Sequence, residues 1–116
     1  MQIHGVELDF HLYDEDKADV KERYFEELRK MGEIKKEMPS GTEAEKNRYL
    51  CSRIKGLFDN VFGEGTGEPV CGDGNDLLVH LSAYEQLVGE QIRQDKEYKR
   101  VMSALTEAGK FPAQRL

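Results

Sequence analysis

Apolar and polar positions alternate at the start of the chain. Ile3, Val6, Leu8, Phe10 and Leu12 are apolar, with Glu7, Asp9 and His11 between the last four. A period of two predicts a half-buried strand. His4-Gly5 interrupts it near the start, and an X-Gly pair suits a two-residue hairpin turn. The expectation is a small hairpin whose first arm is only Met1 to Ile3. An isolated hairpin is marginal in water, so its apolar face must lie on helices or pair with another chain.

The period then becomes helical. Val20, Tyr24, Leu28, Met31, Ile34 and Met38 recur at spacings of three and four, with Phe25 widening the stripe, which predicts a helix from about Glu15 to Glu37. Asp14 can cap it, and Asp14-Glu15-Asp16 complements the helix dipole. Gly32 lies inside and costs on the order of 1 kcal/mol against Ala. Pro39-Ser40-Gly41 ends the segment. Thr42 followed by Glu45 is a capping box, opening a second helix from Glu43 to about Phe62. Its face is Leu50, Ile54, Leu57, Phe58 and Val61, flanked by Tyr49 and Phe62.

Gly63 stands where a C-terminal glycine would. The tight turn Gly63-Glu64-Gly65-Thr66-Gly67 follows, with Gly63, Gly65, Thr66 and Gly67 as its structural residues. A short extended piece at Glu68 to Cys71 and a second glycine turn, Gly72-Asp73-Gly74, come next. Asp73 or Asn75 should cap a third helix with Leu77, Leu81, Tyr84, Val88 and Ile92 as its stripe and Leu78 and Leu87 alongside. Beyond Gln91 the sequence turns very polar, and Tyr98, Val101, Met102 and Leu105 restore a weaker stripe. The helix either continues to about Ala108 or breaks near Asp95; Gly109 ends it, and a loose tail with Pro112 closes the chain. The fold expected is mainly α: three amphipathic helices with a small N-terminal β-hairpin, one domain over 1–108 and a flexible tail over 109–116.

Composition narrows the functional classes. A hydrophobic fraction of 38% beside a charged fraction of 34% implies a lean core, which suits helices that bury one stripe each. The net charge of −6 argues against nucleic acid as the main partner, because phosphate neutralisation supplies most non-specific affinity. No apolar h-region follows Met1, and no apolar run approaches the roughly 20 residues that span a bilayer. The expectation is a cytoplasmic protein with no membrane partner and with Cys51 and Cys71 as reduced thiols.

A phosphate cradle needs G-x-x-x-x-G-K-[ST] between a strand and a helix; here a helix precedes the glycines, no lysine follows at the required place, and Glu64, Glu68 and Asp73 would repel phosphate. Asp73-Gly74-Asn75-Asp76 opens like a calcium loop, but Leu77, Leu78 and Tyr84 occupy later ligand positions. His4, His11 and His80 are scattered, and no Cys pair has zinc spacing. Glu22, Glu26 and Glu27 have the spacing of a helical magnesium cluster, yet no matching acidic pair follows, since Glu85 and Glu90 fall on different faces. Neither cysteine has a readable His or Asn partner for nucleophilic catalysis. The residues thus imply no enzyme, cofactor or metal, and point to a small acidic interaction protein.

One resemblance sharpens this. Phe58-Asp59-x-x-Phe62-Gly63-Glu64-Gly65-Thr66, together with Ile3-His4-Gly5-Val6-Glu7-Leu8-Asp9-Phe10-His11-Leu12-Tyr13-Asp14, resembles a family of small acidic proteins of phages and prophages of Gram-positive bacteria. Its members are similar to the tail assembly chaperones of long-tailed phages. The resemblance spans about residues 3 to 88, and the stretch beyond Gln91 is longer than the family leads one to expect. It implies non-catalytic binding, in the host cytoplasm, of the long apolar helical tape measure protein and other tail proteins during tail assembly. Phe58, Val61 and Phe62, flanking the glycine turn, are the partner-binding candidates on this reading, with a structural role in the core weighed beside it. Two alternatives remain open at this point: a small helical adaptor or regulatory protein that dimerises, and a metal-dependent nucleotide hydrolase.

Overall fold

The computed structural model describes the backbone of residues 1–115 and the side chains of residues 1–107. The protein is mainly helical with a small N-terminal antiparallel hairpin. Strands β1 (Gln2–Ile3) and β2 (Val6–Glu7) pair Gln2 with Glu7 and Ile3 with Val6. The connecting pair His4 and Gly5 has φ of 49° and 81°. Two consecutive positive φ angles give a turn whose twist matches that of the strands.

The expected strand is cut short at Glu7. From Leu8 to Leu12 the burial still alternates, with Leu8, Phe10 and Leu12 inside and Asp9 and His11 outside; Met1 exchanges two backbone hydrogen bonds with Leu8, but among the described residues no strand pairs with Asp9 to Leu12. The side-chain period therefore reports the half-buried extended chain, and its backbone finds other partners.

Asp14 caps a 3-10 turn, Glu15–Lys17, by accepting from the Asp16 N–H at 3.0 Å. Helix α1 (Ala18–Gly32) follows and stops at the glycine; after Glu33 comes a short α2 (Ile34–Glu37). The single helix expected over Glu15 to Glu37 is thus three pieces. Tyr24 is the fully buried member of the α1 stripe, while Val20, Leu28 and Met31 pack at its margin.

Helix α3 (Glu43–Phe62) matches its expected bounds. Thr42 Oγ1 accepts from the Glu45 N–H at 3.2 Å, the first half of the capping box. Cys51, Ile54, Leu57, Phe58 and Val61 form its buried face.

Residues Gly67–Cys71 form a short helix, α4, where an extended piece was expected. Three local causes favour the helical turn. The Asp59 carboxylate accepts from the Gly67 N–H at 2.7 Å, and the Thr66 hydroxyl donates to the Gly63 carbonyl at 2.7 Å. Pro69 falls in the first turn, where its missing N–H has no intrahelical partner to lose.

Helix α5 (Leu77–Arg115) is continuous past Asp95 and does not stop at Gly109. Its cap is Asp76, whose Oδ1 accepts from the Val79 N–H at 3.2 Å; neither Asp73 nor Asn75 takes that role. Its inward face is also rotated from the expected stripe. His80, Ala83 and Leu87 are fully buried, whereas Leu81 and Ile92 are exposed. One core joins Ile3, Phe10, Tyr24, Phe58 and Leu87 across the hairpin and α1, α3 and α5. Phe10 lies at its centre, edge-on to Tyr24 at 4.9 Å and to Phe62 at 5.7 Å. The longest dimension, 65 Å against 29 and 22 Å, reflects α5, which carries on beyond this body.

Candidate interaction surface

The polar run on α5 is where the N-terminal segment is fastened. Gln94 donates through Nε2 to the Phe10 carbonyl at 2.7 Å and accepts through Oε1 from the Leu12 N–H at 2.8 Å. A side-chain amide thus does for Phe10–Leu12 what a neighbouring strand would do. One turn away, the Tyr24 hydroxyl donates to Gln91 Oε1 at 2.6 Å, and Gln91 Nε2 donates to Asp95 at 3.3 Å. Tyr13 donates its hydroxyl to the other Asp95 oxygen at 2.6 Å. Its ring stacks on Tyr98 with centroids 4.4 Å apart, and the Lys21 ammonium lies 5.5 Å from the Tyr13 centroid. The hydrogen bond to Asp95 pushes the Tyr13 phenol up to about 12, because it stabilises the protonated form beside a carboxylate.

Beyond this junction α5 leaves the body and keeps an apolar face. Tyr98, Val101, Met102 and Leu105 are 45%, 46%, 39% and 53% exposed. Their spacing places all four on one side of the helix. Beside them an open groove of about 770 Å³ runs between the N-terminal segment and α5, bordered by Phe10, Tyr13, Lys17, Arg93, Tyr98 and Val101. An apolar stripe two turns long, next to a groove with ion-paired rims, has the shape and chemistry on which an amphipathic helix can dock.

The residues selected from sequence for partner contact lie elsewhere. Phe58 and Val61 are fully buried in the core, so these two side chains hold the fold; Phe62 packs against the core but stays partly exposed, beside an open groove that Val20, Gly65 and Pro69 also line. Arg23 covers the end of that helix by donating from Nε and Nη2 to the Val61 carbonyl at 3.2 and 3.1 Å. The glycine turn has the structural part expected of it. Gly63 and Gly65 adopt φ of 119° and 91°, and Gly67 lies so close to α3 that a Cβ would overlap the Lys55 carbonyl. The hairpin locks onto this corner: His4 Nδ1 lies 2.7 Å from the Val70 carbonyl. The Tyr98–Leu105 face was legible as a weaker stripe, but its exposure depends on where the body ends.

The groups weighed for chemistry are separated or engaged. Glu26 is paired with Arg29 at 2.7 Å; buried Glu27 is paired with Lys30 and accepts from Asn60, each at 3.1 Å. Among the described residues, no three His, Cys, Asp or Glu side chains come together as metal ligands. His80 donates from Nδ1 to the Asp76 carbonyl at 2.6 Å, and its buried Nε2 meets no hydrogen-bond partner among the described residues. Cys51 and Cys71 are buried free thiols, and burial pushes both up, Cys71 to about 11. No described helix is long and apolar enough to cross a membrane.

The fold and surface together define a small helical domain with a fastened N-terminal hairpin and a projecting last helix. The chain belongs to the family of unknown function DUF6673, whose model matches residues 4–115. No curated protein and no solved structure matches it.

Proposed function

We propose that this protein is a non-catalytic, tail-assembly-chaperone-like protein of a phage or prophage, which binds the apolar helical tape measure protein in the host cytoplasm before the tail tube forms. The observation that carries this reading is the projecting half of α5, where Tyr98, Val101, Met102 and Leu105 face solvent. A partner helix rich in apolar side chains gains by burying against such a stripe. The net charge of −6 keeps a complex of this kind dispersed. The sequence resemblance at Phe58–Thr66 and Ile3–Asp14 supports the tape measure protein as the partner, and the exposed stripe supports a contact that leaves the core undisturbed.

The nucleotide-hydrolase alternative has less support, since two of its three acids, Glu26 and Glu27, are engaged by Arg29, Lys30 and Asn60. Co-expression with overlapping fragments of a tape measure protein from the same phage genome, followed by affinity capture, tests the proposal. Retention of at least one fragment, lost on Val101→Glu, is the expected result. Failure to retain any fragment across the whole tape measure overturns it.

A further inference from the structure

The hairpin has one open edge. Met1 and Leu8 exchange two backbone hydrogen bonds, so Gln2 and Glu7, paired one residue further in, turn their N–H and C=O groups away from each other. The Phe10 carbonyl and the Leu12 N–H lie on the Leu8 side, toward Gln94 of α5. Glu7 and Asp9 therefore present their backbone groups on the opposite edge, at every second residue, the repeat with which a strand bonds its neighbour. Among the described residues, no hydrogen bond reaches the backbone of either.

An open groove of about 510 Å³ runs along this edge. Val6 and Leu8 form one wall, and Val20, Phe62 and Pro69 supply the apolar surface opposite. Val6, Val20 and Phe62 are partly exposed and Pro69 is exposed, so this surface is open to an incoming side chain. Arg23 also borders the groove, but its guanidinium is held by Asp19 at 3.1 Å and by the Val61 carbonyl. The edge itself carries the carboxylates of Glu7 and Asp9, and exposed Glu64 and Glu68 adjoin the lining residues Gly65 and Pro69 in sequence. Asp9 holds Lys17 at 2.7 Å and Glu7 holds the N-terminal ammonium at 3.2 Å, exposed pairs that a basic segment can share or replace.

We infer that this edge receives an extended segment of another protein, alternating apolar and basic residues, as a third strand beside Val6–Asp9. The residues of that segment opposite Glu7 and Asp9 exchange N–H and C=O bonds with them and point outward, where lysine or arginine meets the two carboxylates. The residue opposite Leu8 points inward with it, onto Val20, Phe62 and Pro69. A second copy of the edge does not suit, because every register that sets Glu7 or Asp9 against its counterpart opposes acid to acid. Nor does a helix, whose backbone groups are paired internally and leave those of Glu7 and Asp9 unanswered. The site is separate from the Tyr98–Leu105 face and does not rest on the tape measure reading.

Amide spectra of the isotope-labelled full chain, titrated with a short synthetic peptide of alternating lysine and valine, test it. The signals of Glu7 and Asp9 should shift together with those of Val20 and Phe62. Hydrogen exchange at the Glu7 and Asp9 amides should slow at least about tenfold at saturation. Methylating the backbone nitrogens of the peptide's lysines removes the donors and should weaken binding at least about tenfold; methylating those of its valines, which face away, should not. Glu7→Lys, an exposed position whose variant circular dichroism should show folded, weakens the lysine peptide and favours one of alternating glutamate and valine. An unchanged spectrum at millimolar peptide overturns the inference. Binding that survives methylation of the lysine nitrogens overturns it too, because that marks attraction by surface charge alone. A response confined to Tyr98–Leu105 does the same.

Discussion

Gln94 donates to the carbonyl of Phe10 across 2.7 Å, linking residues 84 apart in sequence. With its oxygen receiving the Leu12 N–H, this one side chain satisfies two backbone groups of an extended segment that has no strand beside it. Gln94→Leu keeps much of the volume and removes both partners. It should destabilise the protein by about 1–3 kcal/mol, the cost of leaving part-buried backbone groups unpaired. Urea unfolding of the two proteins measures this. A midpoint unchanged by the substitution would mean that solvent pairs with Phe10 and Leu12 equally well.

Gly65 and Gly67 should fail for different reasons when substituted. Gly65 has φ of 91° with open space around it, so Gly65→Val is a backbone penalty of roughly 1 kcal/mol or more. Gly67 has an ordinary φ, but a methyl group there would meet the Lys55 carbonyl, so Gly67→Ala must move α4 off α3 and costs about 1–3 kcal/mol. The distinguishing measurement pairs a thermal melt with the amide spectrum. Gly67→Ala should shift signals of both α3 and α4, and Gly65→Val only those of the turn.

Tyr13 should titrate above the ordinary tyrosine range. Its hydrogen bond to Asp95 raises it from 10.0 to about 12. A raised folded value means that the stabilisation is fully present below the unfolded value and disappears as pH rises through about 12. Ultraviolet titration of the wild type minus Tyr13→Phe isolates this phenol. In Asp95→Asn the same transition should move down toward 10.0, since the carboxylate charge is gone while an acceptor remains.

Both cysteines should resist modification in the folded protein. Burial raises each thiol, Cys71 to about 11, and the thiolate is the reactive species. The sign matches that of Tyr13: the contribution holds below the ordinary thiol range and is lost as pH rises through about 11 for Cys71. A chromogenic disulfide reagent at mildly alkaline pH should find no reactive thiol until denaturant is added, and then two per chain. Fast reaction of the native protein would show that α3 and α4 separate readily.

Much of the fold follows from local pattern, because local pattern is what decides it. The Thr42–Glu45 box and Gly63 bound α3 to the residue, since caps and a left-handed exit are properties of neighbouring residues. Phe58, Val61 and Phe62 are a different case. Their apolar character marks them for burial, but whether the burial is in the core or against another protein depends on what α1 and the hairpin cover. Gln91, Gln94 and Asp95 read as a solvated stretch and even as a break in the helix. They became anchors because the N-terminal segment, far away in sequence, brings the backbone groups of Phe10 and Leu12 and the Tyr13 hydroxyl to them, and α1 brings the Tyr24 hydroxyl.

The sequence by itself determined the helix-rich class, the bounds of α3, the hairpin turn at His4-Gly5 and the glycine corner, because each rests on residues within a few positions of one another. Only the tertiary structure decided that Glu68–Cys71 coils into α4, that α5 turns His80 inward and Ile92 outward, and that Tyr98 to Leu105 is left bare. Those outcomes depend on an Asp59 carboxylate, a Lys55 carbonyl and the edge of a distant segment, which no window of sequence contains.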